Sequence, residues 1–133
     1  MTYYLDTDIC IYYLKNSFPA INHKLNSILT TNIKIPSMVA AELLYGAEKS
    51  AKREHNIQLF NTFLSIFEII TFDEKAAVFY ATIRSELERK GQIIGSNDII
   101  IAATTIANNG ILVTHNINEF SRLEKLKIED WTV

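Results

Sequence analysis

Short apolar runs alternate with longer amphipathic stretches along the chain, and this alternation constrains the fold more than any other feature. Runs of this length, bounded by turn residues, are typical of short strands. The strand candidates are residues 3–5, 33–35, 69–72, 111–114 and 128–131. Strands that alternate with helices predict an α/β fold, in which helices cover both faces of a parallel sheet.

Helical periodicity and capping residues predict helices between these strands. They cover residues 8–16, 19–30, 37–50, 54–67, 73–90 and 98–107. Asp73 is an expected N-cap, and Ser96 or Asn97 is expected to cap the last helix. That helix, residues 98–107, is apolar almost all round, so we expect it to be buried between other elements. Residues 108–110 are expected to supply left-handed backbone at its end.

Length and composition restrict the class of protein. The 133 residues suit one ordinary domain, and we predict a single domain over residues 1–133. With 48% apolar and 21% charged residues, the chain resembles soluble globular proteins, and its apolar runs are far too short to span a bilayer. The N-terminal residues lack the basic segment of a secretory signal, and the single cysteine, Cys10, cannot form an internal disulfide. We therefore predict a cytoplasmic protein that does not act at a membrane.

Acidic and amide side chains follow several of the predicted strands. They are Asp6, Asp8, Glu42, Asp98, Asn116 and Glu119. Sites in open parallel sheets form outside the carboxyl ends of the strands, and helices that follow strands begin at that same edge. We expect four separate segments to bring these side chains together, and we call the group of six the acidic rim.

Two of these acids lack a favourable partner on their own helices. Glu42 has no basic residue three or four positions away, and an unpaired carboxylate on an apolar patch costs free energy. Asp98 also has apolar neighbours, and its helix N-terminus offsets only about 0.3–1 kcal/mol. Each acid has a simpler interpretation as well. Asp6 and Asp98 are suitable first-turn or capping acids, and Glu42 is long enough to reach water.

Clustered carboxylates indicate a divalent cation. Their repulsion raises some of their pKa values, and a bound cation removes that penalty. Oxygen donors without cysteine or histidine select Mg²⁺ or Mn²⁺ rather than Zn²⁺, and such a site suits the hydrolysis of phosphodiesters. The net charge of −2 is compatible with this function, because the 13 basic residues outnumber the acids outside the rim. That balance permits a phosphate-rich partner without requiring one.

Five longer segments contain most of these residues. They are LDTDICIYYL at 5–14, AELLYGAEKS at 41–50, RKGQIIGSNDIIIAA at 89–103, LVTHNINEF at 112–120 and IEDW at 128–131. In order and spacing they resemble the PIN-domain ribonucleases, and within them the VapC toxins of bacterial toxin–antitoxin systems. The resemblance extends from end to end. It implies a PIN domain, an α/β/α sandwich on a parallel sheet of about five strands.

The resemblance also implies roles for individual acids. Asp6, Glu42 and Asp98 match the family's catalytic acids, with Asp6 and Asp98 as the main ligands of Mg²⁺ or Mn²⁺. Many PIN domains have a fourth aspartate where this chain has Asn116. Glu119 is the nearest acid, and we expect it to be the charged contributor of this segment.

Two further positions are expected to support the site. Thr114 would supply neutral hydrogen bonds together with the amide of Asn116. The family usually has asparagine at position 8, so Asp8 either adds charge beside the metal or caps the helix that it begins.

The resemblance implies partners and a cellular role. VapC toxins similar to this chain cleave tRNA, in some members the initiator tRNA in its anticodon stem-loop, and so inhibit translation. A cognate VapB antitoxin inhibits them, and its C-terminal segment fills the groove near the acids. The complex contacts operator DNA through the antitoxin, and the toxin subunits are typically homodimers.

Basic and aromatic residues near the rim have two interpretations. Lys49, Lys52 and Arg53 are either the solvated end of a helix or contacts to RNA phosphates. Several tyrosines are able to stack on bases, although packing in the core or in a dimer is the simpler expectation. They are Tyr12, Tyr13, Tyr45 and Tyr80. His115 is expected at the surface or facing the substrate, and Cys10 is expected to be a core thiol.

Two other functions deserve comparison. Asp6-Thr7-Asp8 after a strand resembles the Asp-x-Asp of haloacid-dehalogenase phosphatases, but Cys10 occupies the position that needs threonine or valine, and the later lysine with an acidic pair is missing. A catalytically degenerate PIN domain that only binds a partner is the second alternative. Asn116 favours it, whereas Asp6, Glu42 and Asp98 argue against it.

Overall fold

A five-stranded parallel sheet lies at the centre of the protein, whose computed structural model describes residues 1–133. The strands are β1 (Tyr3–Leu5), β2 (Ile33–Pro36), β3 (Glu68–Ile70), β4 (Ile111–Val113) and β5 (Lys127–Glu129). Their order is β3-β2-β1-β4-β5, and each neighbouring pair is parallel. The prediction of an α/β fold on a five-stranded parallel sheet is confirmed.

Seven α-helices flank the sheet and form the α/β/α sandwich. They are α1 (Thr7–Leu14), α2 (Pro19–Ser27), α3 (Ser37–Glu48), α4 (Arg53–Leu64), α5 (Glu74–Arg89), α6 (Ser96–Ala107) and α7 (Ile117–Phe120). The chain builds the sheet outward from β1 to β3 and then returns to add β4 and β5 on the other side of β1. The carboxyl ends of β1 and β4 therefore meet where the strand order reverses, which is the usual position of a site in such sheets.

The third strand begins and ends earlier than predicted. The predicted run was 69–72, whereas β3 covers Glu68–Ile70. Its partner β2 ends at Pro36, which pairs with Ile70, so the backbone beyond Ile70 has no neighbouring strand to pair with. Lys34 of β2 forms an ion pair with Glu68, which supports this register.

The predicted helix caps have different outcomes. Asp73 is confirmed as an N-cap, because its side chain accepts a hydrogen bond from a backbone N–H in the first turn of α5. The prediction for Ser96 and Asn97 is wrong, because α6 already begins at Ser96 and Gly95 occupies the capping position without a side-chain bond. Asp98 is consequently the one acidic side chain in the first turn of α6.

Helix α6 is buried, as its all-round apolar sequence predicts. It packs against α5 and α3. The buried hydroxyls of Thr104 and Thr105 donate to backbone carbonyls one turn earlier, at 2.8 and 2.9 Å, so they remain satisfied inside the core. Cys10 is fully buried and is confirmed as a core thiol. None of the helices combines the length and apolar character needed to cross a bilayer.

The turn between α6 and β4 needs glycine for space rather than for backbone freedom. Asn109 alone among residues 108–110 has left-handed backbone, with φ 54°, so the prediction for its two neighbours is wrong. Gly110 lies against the ring of Tyr4, and a Cβ at this position would overlap the ring carbons. Tyr4 is itself buried and belongs to the core. The close approach of this turn to β1 therefore requires a residue without a side chain.

Replacing Gly110 with alanine should lower the free energy of unfolding by about 1–3 kcal/mol, because Tyr4 has to move within a packed core. Gly46→Ala is the matched control. Gly46 lies inside α3 with no atom within 4 Å of a new Cβ, so its replacement should stabilise by roughly 0.5–1 kcal/mol. Urea unfolding of both variants measures the two changes. An unchanged or increased stability of Gly110→Ala would contradict the packing argument.

Candidate active site

The acidic rim begins where β1 and β4 end side by side. The Asp6 N–H donates to the carbonyl of Val113 at 2.9 Å, which continues the pairing of the two strands by one residue. The Thr114 hydroxyl donates to Oδ2 of Asp6 at 2.7 Å. Thr114 is fully buried and Asp6 is only 6% exposed. The direction of the Asp6 carboxyl group is therefore set by two neighbouring chain segments.

Burial disfavours the ionised form of Asp6. The pKa of Asp6 is raised from 3.8 to about 7, chiefly by burial, with additional contributions from the charge of Asp8 and, to a smaller extent, of Asp98. Hydrogen bonds from the Thr114 hydroxyl and from the backbone N–H of Thr7, the latter at 2.8 Å, partly oppose the shift. Near neutral pH, this carboxyl group is therefore partly protonated unless a positive charge is bound beside it.

Thr7 joins Glu42 to the same rim. Its hydroxyl donates to Oε1 of Glu42 at 2.6 Å, which ties the first turn of α1 to the second turn of α3. Sequence analysis assigned no role in the rim to Thr7. The available signal was a hydroxyl directly after the strand-ending Asp6, but its partner lies 35 residues away and depends on how the helices pack.

Asp98 lies near two other rim acids. The pKa of Asp98 is raised to about 6, chiefly by burial, and also by the charges of Glu119 and Glu42 and by a hydrogen bond to Glu119. Asp8 makes the smallest of these contributions. The first turn of α6 thus brings Asp98 to the side of the rim where α3 and the segment after β4 meet.

Asn116 positions Glu119 in this structure. Its side-chain amide donates to Oε2 of Glu119 at 3.1 Å, and its backbone N–H donates to the Thr114 hydroxyl at 3.0 Å. The two residues lie at the start of α7, a one-turn helix that sequence analysis did not predict. The amide therefore acts on the neighbouring carboxylate through a direct hydrogen bond.

Asp8 connects the rim to an exposed histidine. Its Oδ1 accepts a hydrogen bond from the backbone N–H of Ile9 at 2.7 Å, and its Oδ2 accepts one from the backbone N–H of His115 at 3.2 Å. Burial raises the pKa of Asp8, and these hydrogen bonds oppose the shift. The His115 side chain is 48% exposed and lies 3.0 Å from Oδ2 of Asp130. The predicted surface position of His115 is confirmed.

None of the rim acids has a basic partner. The five ion pairs of the protein involve other carboxylates. Of the three predicted RNA contacts, Arg53 is held by Glu48 at 2.7 and 3.2 Å. Lys52 is exposed and forms no ion pair, and Lys49 lies over the ring of Tyr45. The charge of the rim is thus offset in part by hydrogen bonds but by no ion pair with lysine or arginine.

The donor set fits a hard divalent cation. Every side chain of the rim has an oxygen that can bind a metal. No thiol or imidazole forms a hydrogen bond with Asp6 or Asp98. No three acidic, histidine or cysteine side chains are arranged to hold one ion together. One or two carboxylates completed by water is the usual protein environment of Mg²⁺, so this arrangement suits that ion.

Comparison with a family model identifies the class of protein. Residues 3–126 match the PIN domain model. This range contains the first four strands and ends just before β5. The match includes every residue of the acidic rim. The chain belongs to the PIN domain family.

Full-length relatives identify the group within the family. The chain is 46% identical over 132 residues to Ribonuclease VapC2 of Rickettsia felis, with 98% of each chain covered. It is 37% identical to the tRNA(fMet)-specific endonuclease VapC of Salmonella typhimurium, again with 98% of each covered. A crystal structure of VapBC2 from Rickettsia felis, bound to a DNA fragment from their promoter, superimposes with a TM-score of 0.92, covering 98% of this chain and 99% of that one at 45% identity. Within the PIN domains, the chain is thus a VapC-type protein.

The pKa values of the rim predict how stability responds to pH without metal. Between about 4 and about 7, folded Asp6 holds a proton that the unfolded chain has lost, so its contribution to the free energy of unfolding falls as pH rises. The difference between 3.8 and about 7 corresponds to roughly 4 kcal/mol as an upper limit. Asp6→Asn should therefore gain stability relative to the wild type as pH rises through this range.

Urea unfolding of the wild type and Asp6→Asn with EDTA present, at several pH values across that range, measures the effect. Asp73→Asn is the control, because asparagine also serves as an N-cap. A stability difference between wild type and Asp6→Asn that does not change with pH would contradict the assignment.

Proposed function

We propose that the protein is the toxin of a type II toxin–antitoxin pair and acts as a Mg²⁺-dependent endoribonuclease. The observation that carries the proposal is the acidic rim itself. Four chain segments bring carboxylates to the point where the strand order reverses, and none has a basic partner. The relatives named as ribonucleases and as a tRNA(fMet)-specific endonuclease support the same reaction class.

Asp6 and Asp98 would hold the Mg²⁺, for which Mn²⁺ is a substitute. When bound, the ion supplies positive charge that orients the phosphate, lowers the pKa of water and neutralises the leaving oxygen. Thr114 and the backbone of Thr7 keep the Asp6 carboxyl group aimed at one position. The reaction would replace one phosphodiester linkage by a hydroxyl and a phosphate monoester.

Glu42 and Glu119 would complete the catalytic set. Thr7 binds one oxygen of Glu42, and the other oxygen accepts no hydrogen bond from the protein, so it is free to take a proton from water. Asn116 donates a hydrogen bond to Oε2 of Glu119, which lies near Asp98. Glu42 is thus fixed at one oxygen and available at the other, whereas Glu119 is bound by Asn116 and also forms a hydrogen bond with Asp98.

The proposed substrate is tRNA, with the initiator tRNA anticodon loop as the first candidate. One relative is named for tRNA(fMet), and its identity to this chain extends over almost the whole length. Cleavage of that tRNA would inhibit translation. The protein would act in the bacterial cytoplasm, where its substrate is found.

A VapB-type antitoxin is the proposed protein partner. Solved VapBC structures of similar proteins contain such a complex, some of them with DNA, so contact with operator DNA would be indirect and through the antitoxin. An apolar groove between α1, α3 and α4 borders Glu42 and suits an apolar segment of the partner. Its lining includes Ile11, Leu14, Leu43, Leu59 and Phe60. We also propose that the toxin forms a homodimer.

Replacing Asp98 with asparagine should abolish Mg²⁺-dependent cleavage of RNA while preserving the fold, because one metal ligand loses its charge. Purified protein is incubated with total cellular RNA and Mg²⁺, and the new ends are mapped by sequencing. Asp73→Asn makes the same chemical change at a helix cap outside the rim and should cleave normally. Undiminished cleavage by Asp98→Asn would refute the proposed site.

Glu119→Gln should reduce cleavage more than Asn116→Ala, since only Glu119 supplies charge. Because Asn116 binds Glu119 directly, the two changes should be non-additive when combined. Cleavage rates at increasing Mg²⁺ concentration decide the order. A larger loss for Asn116→Ala would show that the amide itself contacts the reacting groups.

A further inference from the structure

A second groove borders the acidic rim and is lined mainly by residues of α3. Its lining includes Thr7, Glu42, Tyr45, Gly46, Lys49 and Asn97. Two of these residues, Thr7 and Glu42, form the hydrogen bond that fixes one edge of the rim. Asn97 directly precedes Asp98. The groove is therefore continuous with the proposed reaction centre.

Tyr45 is the most unusual residue of this groove. It is 65% exposed, and it is the only exposed tyrosine among the six of the chain. It lies one turn beyond Glu42 on the same face of α3. Core packing was one of the two simpler expectations for this tyrosine, and it is wrong, whereas packing in a dimer stays a prediction. In the single subunit the ring is available to a ligand. Every base presents a flat face that stacks on such a ring.

Lys49 adds an unpaired positive charge to the same face. Its Nζ lies 4.8 Å from the centroid of the Tyr45 ring. It forms no ion pair, whereas nearby Arg53 is held by Glu48. Gly46, between Tyr45 and Lys49, leaves open space beside the helix, because no atom lies within 4 Å of its missing Cβ position. Helix α3 thus presents the Tyr45 ring, the Lys49 ammonium group and the open space at Gly46. All three lie within about 10 Å of Glu42 along the helix axis.

We propose that this groove is a nucleotide subsite for single-stranded RNA beside the scissile phosphate. One base stacks on Tyr45, and a phosphate of the same strand binds Lys49. The inference rests on the proposed ribonuclease function and adds the residues that hold an unpaired nucleotide. A protein partner is the other conceivable occupant. The unpaired lysine and the continuity with Glu42 favour a phosphate-containing strand.

The test uses a short single-stranded RNA that contains a cleavage site mapped with the wild-type protein. Tyr45→Ala should raise KM by about tenfold or more, with little change in kcat, because stacking contributes to binding rather than to chemistry. Tyr45→Phe keeps the ring and should retain most of the affinity. Lys49→Ala should raise KM and weaken its salt dependence, whereas Lys75→Ala, on α5 outside the groove, should do neither.

An abasic substitution in the RNA identifies the stacked base. Replacing the correct base by an abasic nucleotide should remove the difference between wild type and Tyr45→Ala, while abasic nucleotides elsewhere should leave it intact. An unchanged KM for Tyr45→Ala would overturn the inference. So would a variant that cleaves normally but binds the antitoxin poorly, because the groove would then belong to the protein partner.

Failure of the proposed function gives a different result. If the wild-type protein cleaves no RNA in Mg²⁺, the ribonuclease proposal fails. Fluorescence anisotropy with the same labelled RNA then tests the subsite alone. Equal Kd values for wild type and Tyr45→Ala in that assay would overturn the subsite independently of catalysis.

Discussion

The hydrogen bond from Thr114 to Asp6 is the contact on which the rest of the site depends. It joins the ends of β1 and β4, where the strand order reverses, and it lies in the buried part of the rim. The same hydroxyl accepts the N–H of Asn116, whose amide in turn binds Glu119. One buried threonine therefore links Asp6 to Glu119 by way of Asn116. Without it, the direction of Asp6 and the start of α7 would both lose a constraint.

Without a bound cation, the acidic rim lowers the stability of the folded protein near neutral pH. The pKa values of Asp6 and Asp98 are raised to about 7 and about 6. Ionising these two carboxyl groups near neutral pH therefore lowers the free energy of unfolding. Hydrogen bonds from Thr7 and Thr114 offset only part of this effect. Sites that need unpaired charges commonly lower stability in this way. A bound cation would restore it, since binding to the folded state alone stabilises that state.

The strands and the membership of the rim follow from rules that apply along the sequence. Acids after parallel strands share one edge, whatever the details of packing. The contacts inside the rim do not follow from such rules. The pairing of Thr7 with Glu42 depends on how α1 meets α3, and the requirement for Gly110 depends on the ring of Tyr4. Likewise, β3 ends early because Pro36 ends its partner strand, which local propensity does not reveal.

The amide at position 116 is consistent with these energetics. A carboxylate there would lie within hydrogen-bonding distance of Glu119 and would repel it, raising the pKa of one of the two acids. An amide instead donates a hydrogen bond to Oε2 of Glu119. After burial, the charge of Glu119 is the largest contribution to the raised pKa of Asp98. An amide at position 116 is thus compatible with the role that we propose for Glu119 as the charged group of this segment.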